Sequence, residues 1–175
     1  MYDGRIVKLS LDTVRFPDGS TGVLEMIRHR GAAAVLPFLG SLEEPDPGVL
    51  LIRQYRYAAG GFIYEVPAGI PDEGDEGWEA CARRELEEET GYRSGRVRRL
   101  GEFFTSPGFA DERMWAFVAE DLEFVGQRLE PGEQIEVQIV EWAGVGAMIR
   151  DGRIRDGKTI AGLLMWQQQR RDGTA

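Results

Sequence analysis

Residues 83–92 read RRELEEETGY, which sets Glu85, Glu87, Glu88 and Glu89 within five positions. Like charges three or four residues apart on a helix repel one another, so the cluster costs stability. At about 100° per residue, Glu85, Glu88 and Glu89 fall within a sector of roughly 100°, and Glu87 points elsewhere. Cys81, Ala82 and Leu86 border or share the sector of Glu85 and Glu89. Two carboxylates therefore sit beside the apolar stripe that a helix turns toward its core. Carboxylates placed inward need a cation or hydrogen bonds, and a divalent ion bound at i, i+3 and i+4 meets that need. A solvated acidic face is the ordinary reading of a Glu run, but it leaves the overlap with the apolar stripe unexplained.

The rest of the chain narrows the cation. With one histidine and one cysteine, Cys81, a zinc cage of nitrogen and sulfur ligands has too few donors. A hard, oxygen-bound ion remains, Mg²⁺ or else Mn²⁺. The net charge of −9 argues against broad binding to nucleic acid or an anionic membrane. No apolar run reaches the roughly 18 residues of a membrane span. The opening residues show no long apolar core of a signal peptide, and no disulfide within the chain is possible, so a cytoplasmic location is expected.

Residues 4–14 and 21–28 read as strands around the turn FPDGST, and 31–40 and 48–60 as buried strands joined by a Gly/Pro/Asp-rich loop. A short strand over 62–69 ends at Pro67. A helix over 78–91 is stopped by Gly91. Strands are expected near 96–104, 113–120 and 135–142, followed by two closing helices. Many strands with two or three helices give an α+β class, a sandwich around a mixed sheet with antiparallel strands at the N-terminus.

Residues 69–92, GIPDEGDEGWEACARRELEEETGY, resemble the Nudix box. The family pattern is Gly, five residues, Glu, seven residues, then Arg-Glu-apolar-any-Glu-Glu-any-Gly-apolar. Glu76, Arg84, Glu85, Leu86, Glu88, Glu89, Gly91 and Tyr92 all fit it. One departure stands: six residues separate Gly69 from Glu76, and Asp75 occupies the five-residue offset. An extra loop residue costs little. The resemblance implies a Nudix-type α/β/α sandwich over residues 31–175. It also implies a Mg²⁺-dependent hydrolase of nucleoside diphosphates linked to another group. Arg84 is expected to pair with an acid of the preceding loop, with Glu76 the natural candidate.

Pro107 lies sixteen residues after Gly91 within TSPGFADE, and RQYR (53–56) precedes EVPAG (65–69). Both features are similar to the ADP-ribose pyrophosphatase branch of that family, as is GKTIAGLLMW near the C-terminus. The branch implies that the Ala68 carbonyl, Glu85, Glu88 and Glu89 hold the metal, with Glu85 and Glu89 also catalytic. Arg56 would contact the diphosphate, since a guanidinium suits paired phosphate oxygens. Ser106, Gly108 and Glu112 would meet the ligand from a tight turn, and Arg28 or His29 would approach the nucleobase. A catalytic base is expected from residues 129–142: Glu133 first, with Glu130 and Glu136 as alternatives. ADP-ribose would give AMP and ribose 5-phosphate. The alternatives are another nucleoside diphosphate sugar, such as GDP-mannose, or a non-catalytic sensor. Members of the branch are usually homodimers with exchanged N-terminal strands, which residues 1–30 are long enough to supply.

GRIRDGKT (152–159) matches the P-loop pattern in full. That motif needs a buried strand before it, whereas the preceding segment reads as helix, and Arg153, Ile154 and Arg155 crowd its interior. The acidic residues before Trp78 lack the order of an EF-hand loop. His29 reads as structural, and Trp142 and Trp166 as core or interface.

Overall fold

The computed structural model describes residues 2–4, 6–72, 77–130 and 132–173. In chain order the elements are β1 (Tyr2–Asp3), β2 (Lys8–Arg15), β3 (Thr21–Arg28), β4 (Ala32–Leu39), β5 (Gly48–Arg56), β6 (Gly61–Glu65) and β7 (Ala68–Gly69). There follow α1 (Trp78–Thr90), β8 (Tyr92–Phe104), β9 (Arg113–Phe124), β10 (Ile135–Glu141), α2 (Trp142–Arg150) and α3 (Gly157–Arg171).

Strand β4 shows how the layers form. It is buried along almost its whole length, and successive residues face opposite sides of the sheet. Ala33 and Val35 join Phe117 and Ala119 of β9 against Cys81, Ala82 and Leu86 of α1. Ala32, Ala34, Leu36 and Phe38 join Met114, Ala116 and Val118 against Val145 and Met148 of α2 and Leu163 and Trp166 of α3. The sheet is thus covered on both faces, giving the α/β/α sandwich. Its strand order is β10-β5-β4-β9-β8, with β6 added to β5 and β7 to β4. The β4–β9 pair is parallel and the others antiparallel, which makes the sheet mixed. Trp166 is fully buried, 4.3 Å from the Phe38 ring and 4.4 Å from Trp142, so both tryptophans pack in the core.

Strands β1, β2 and β3 form a separate antiparallel sheet, bridged from Ile27 to Ala110 in the loop between β8 and β9. Apolar side chains stay exposed on it, with Leu11 at 59% and Val23 at 62%. Several element limits differ from those read off the sequence. Strand β5 stops at Arg56, because a 3-10 turn over Tyr57–Ala59 closes on Gly60 in the left-handed region. Strand β8 starts at Tyr92 rather than near 96, because β9 runs on to Phe124 and Tyr92 pairs with it. The expected strand over 4–14 is broken near Gly4, so that β2 begins at Lys8. No helix among the described residues is long and apolar enough to cross a membrane.

Candidate active site

Helix α1 ends at Gly91, whose φ of 77° places it in the left-handed region that glycine enters without strain. Its N–H closes on the Glu87 carbonyl at 2.9 Å, and β8 departs at once. This fixes the last turn of α1, with Glu85, Glu88 and Glu89, against β7. The cavity there has a volume of about 260 Å³. Arg56, Ala68, Gly69, Arg84, the three glutamates, Glu130 and Glu133 all line it. Helix and strand meet closely: a Cβ on Gly69 would overlap the Glu85 carboxylate and force it to move.

Glu89 is 4% exposed, and its Oε2 accepts the Ala68 N–H at 3.0 Å. Burial, and then the nearby charge of Glu85, push its carboxyl up to about 8. Burial likewise pushes Glu85 up to about 7, against the opposing charge of Arg84. Arg84 Nη1 lies 2.9 Å from both Glu85 Oε1 and Glu88 Oε2, so a cation already sits between two of the carboxylates. Arg84 also donates to the Ile70 carbonyl at 3.0 Å, and it reaches the loop acid Asp72 at 3.5 Å. The Glu76 pairing and the question of Asp75 versus Glu76 fall outside the described residues.

The donor set is all oxygen and strongly acidic, which fits a hard divalent cation. Among the described residues no three acidic, His or Cys side chains already close into a cage. The Arg84 contacts account for this in part, because they hold Glu85 and Glu88 and a bound ion has to compete for those oxygens.

On β5, Gln54 and Arg56 share one face by strand alternation, and both line the cavity. Arg56 donates to Glu65 through Nε at 2.6 Å and Nη2 at 2.9 Å. Its side chain is still 42% exposed, while Glu65 is 1% exposed. Burial alone would raise the Glu65 carboxyl, but Arg56 and Lys158 outweigh it and hold Glu65 below the ordinary carboxylate range. Gln54 Oε1 is buried with no hydrogen-bond partner among the described residues.

Glu133 sits on a tight turn in which its N–H donates to the Glu130 carbonyl at 3.1 Å and its Oε2 accepts the Glu130 N–H at 2.8 Å. Its charge contributes to raising both Glu85 and Glu89. Glu136, an alternative base, is instead turned out on β10, where it pairs with Arg53 at 3.0 Å.

The expected nucleobase and loop residues lie elsewhere. Arg28 pairs with Asp12 and with Asp111 at 2.9 Å, and does not line the cavity. Ser106, Gly108 and Glu112 are also outside the lining. Ser106 accepts the Ala110 N–H at 2.9 Å in a turn whose backbone docks on Ile27. Glu112 accepts the Thr105 hydroxyl at 2.6 Å and lies 3.5 Å from His29 Nδ1, which keeps His29 in a structural place. Arg30, Gln54, Ile6 and Asp72 line the cavity although the sequence reading passed over them. Period-two alternation from Arg28 and Arg56 was the available signal for Arg30 and Gln54.

With this geometry in hand, comparison with known proteins becomes specific. The chain is 34% identical over 170 residues to the ADP-ribose pyrophosphatase of Bacillus subtilis, covering 95% of this chain and 88% of that one. It is 36% identical over 152 residues to the GDP-mannose pyrophosphatase of Salmonella paratyphi B, covering 78% and 76%. A solved structure of an ADP compounds hydrolase superposes with a TM-score of 0.77 at 22% identity, over 100% of this chain and 92% of that one. The NUDIX domain matches residues 28–163, and the chain belongs to the NUDIX family as a pyrophosphatase.

Proposed function

We propose that this protein hydrolyses the diphosphate bond of ADP-ribose or a related ADP-sugar, giving AMP and ribose 5-phosphate from ADP-ribose, with Mg²⁺ as its metal and Mn²⁺ as a substitute. The observation that carries the reading is a half-exposed Arg56 facing Glu85, Glu88 and Glu89 across one cavity. The 34% identity to an ADP-ribose pyrophosphatase over 95% of the chain supports the choice of substrate.

In this reading the Ala68 carbonyl, Glu85, Glu88 and Glu89 hold the metal. A bound divalent ion neutralises diphosphate charge and lowers the pKa of its water. Arg56 keeps donors free after Glu65 takes two, and these bind non-bridging phosphate oxygens. Arg84 shields Glu85 and Glu88 until substrate and ion arrive. Glu133, on its turn beside Glu85 and Glu89, takes the proton of the attacking water, and Glu130 is the nearest alternative. Glu89, buried against the Ala68 N–H, keeps the helix end registered on β7. Arg28, Ser106, Gly108 and Glu112, outside the lining of this cavity, would reach only the parts of the substrate that extend beyond it.

We further infer a homodimer. Strands β1, β2 and β3 form a sheet of their own, in keeping with an N-terminal unit over residues 1–30 beside a domain of residues 31–175, and the exposed Leu11 and Val23 suit burial against a second copy. Nucleic acid and membranes are not among the partners, in keeping with the net charge of −9, and a cytoplasmic location suits a chain whose one cysteine is buried and free.

Product analysis after incubation with ADP-ribose and with GDP-mannose, each with and without Mg²⁺, tests the reading. AMP from ADP-ribose only with metal is expected. GMP from GDP-mannose alone would move the substrate toward the Salmonella relative. Binding of ADP-ribose without turnover would leave a sensor.

A further inference from the structure

We propose that Lys158 and Thr159, in the first turn of α3, are positioning residues that act through Glu65 and Val66 to hold Arg56 and the Ala68 strand at the cavity. The inference rests on the reading above that Arg56 binds the diphosphate. It also gives a role to the DGKT sequence, which carries a nucleotide-binding signature yet follows helix α2 and the turn after it instead of a strand.

The turn is tied together by one carboxylate. Asp156 caps α3, and its Oδ2 accepts from the Thr159 N–H at 3.0 Å, the Thr159 hydroxyl at 2.6 Å and Lys158 Nζ at 3.1 Å. Thr159 is fully buried. Having donated its proton to Asp156, its Oγ1 accepts the Val66 N–H at 2.9 Å. The backbone just after β6 is thereby anchored to the start of α3. Two residues on, Ala68 donates to Glu89, so the anchor lies directly behind the strand that lines the cavity.

Lys158 performs the same task for the guanidinium. Its ammonium group contacts Glu65, which is 1% exposed and holds Arg56 with two hydrogen bonds. The Lys158 side chain is 13% exposed and does not line the cavity, so it acts on substrate only through Glu65. A buried carboxylate shared between two cations needs both of them in place. With Lys158 removed, the Glu65 carboxylate loses the contact that fixes its orientation, and its two hydrogen bonds to Arg56 are no longer held in place. The guanidinium then loses its fixed angle, and substrate binding weakens before chemistry does.

The test is steady-state kinetics on ADP-ribose with Mg²⁺, together with the NMR signal of the Arg56 Nε–H, assigned by its loss in Arg56→Lys. Lys158→Met should raise KM by about tenfold, the scale of a partner lying behind a functional group, with kcat held within about twofold. Lys158→Arg should restore most of the loss. Thr159→Val should lower both thermal stability and affinity, and Thr159→Ser should keep both. In an Arg56→Ala background, Lys158→Met should change KM by less than about twofold, because the group it positions is gone. The Arg56 Nε–H should be slow to exchange in the wild type and in Lys158→Arg, and fast in Lys158→Met. An unchanged Arg56 signal in Lys158→Met, or the same rise in KM with and without Arg56, would overturn the proposal. If the wild type turns over no nucleoside diphosphate sugar, the substrate reading fails, and the NMR comparison still decides the positioning.

Discussion

Glu65 and Glu89 are almost equally buried, at 1% and 4% exposed, and they belong to one site. Their carboxyl groups are nonetheless driven in opposite directions. Glu65 is held low by Arg56 and Lys158, while Glu89 is pushed up to about 8 by burial and by Glu85. Solvent exposure is therefore not what separates them. The protein places two cations in direct contact with one glutamate; the other accepts an N–H and has Glu85 and Glu133 as like-charged neighbours, which Lys158 offsets only from a distance. A completed ion cluster is scaffold, whereas an incomplete one is a place where a cation from outside improves the energy.

The largest break in this contrast comes from Glu89→Gln. Hydrolysis of ADP-ribose should fall by about 10³-fold, within the range seen when a group acting directly on the reaction is lost. Circular dichroism should show an intact fold, since an amide still accepts the Ala68 N–H and a repulsion with Glu85 is relieved. Equal activity in the variant would remove the metal assignment. Glu65→Gln should behave in the opposite way. It should cost about 3 kcal/mol in denaturant unfolding, because Lys158 and Arg56 lose their shared partner in a buried setting. Its activity loss should appear mainly in KM.

The two glutamates also give opposite pH dependences. The folded values of Glu85 and Glu89, about 7 and about 8, lie above the ordinary 4.5. Their contribution to stability is therefore complete below about pH 4.5 and is lost as pH rises through 7 and 8. Glu65, held below 4.5, contributes above that pH and loses its contribution on acidification. Chelator-treated protein should lose several degrees of Tm between pH 5.5 and pH 8.5, and Glu89→Gln should flatten that slope. Mg²⁺ should raise Tm most at the alkaline end, where no proton has to leave. A flat wild-type profile under chelation would mean that burial does not raise these two carboxyls.

How far the sequence reveals this contrast depends on the range of the interactions involved. Glu85, Glu88 and Glu89 are related by helical spacing, and Gly91 marks the stop, so one side of the site is legible from local pattern. The layers are legible too, since 31–40 is apolar throughout and its neighbours β5 and β9 carry apolar runs of their own. The partner of Glu65 is not legible: Lys158 is 93 residues away and sits in a motif that resembles a different function. Arg84 reaches the loop acid Asp72 at 3.5 Å, a contact the local pattern does not single out. The docking of the SPGF turn on Ile27 is not legible either, because it joins backbone groups about eighty residues apart.

The same division between completed and incomplete charge recurs among the arginines after β3, and it gives the smallest expected effect. Arg28 ends β3 and Arg30 lies two residues beyond it, yet Arg28 is held by Asp12 and Asp111 outside the cavity. Arg30 lines the cavity beyond the end of the strand, just before Gly31 turns the chain into β4. Arg30→Ala should raise KM for ADP-ribose several-fold with little change in kcat, since an exposed cation near the diphosphate adds binding and not chemistry. Arg28→Ala should change KM by less than about twofold and cost no more than about 1 kcal/mol, the scale of an exposed ion pair. Raising the salt concentration should shrink the Arg30 effect, because the charge acts through solvent. If Arg28→Ala has the larger effect on KM, the nucleobase lies over the β2–β3 sheet, and the dimer, rather than the single chain, completes the site.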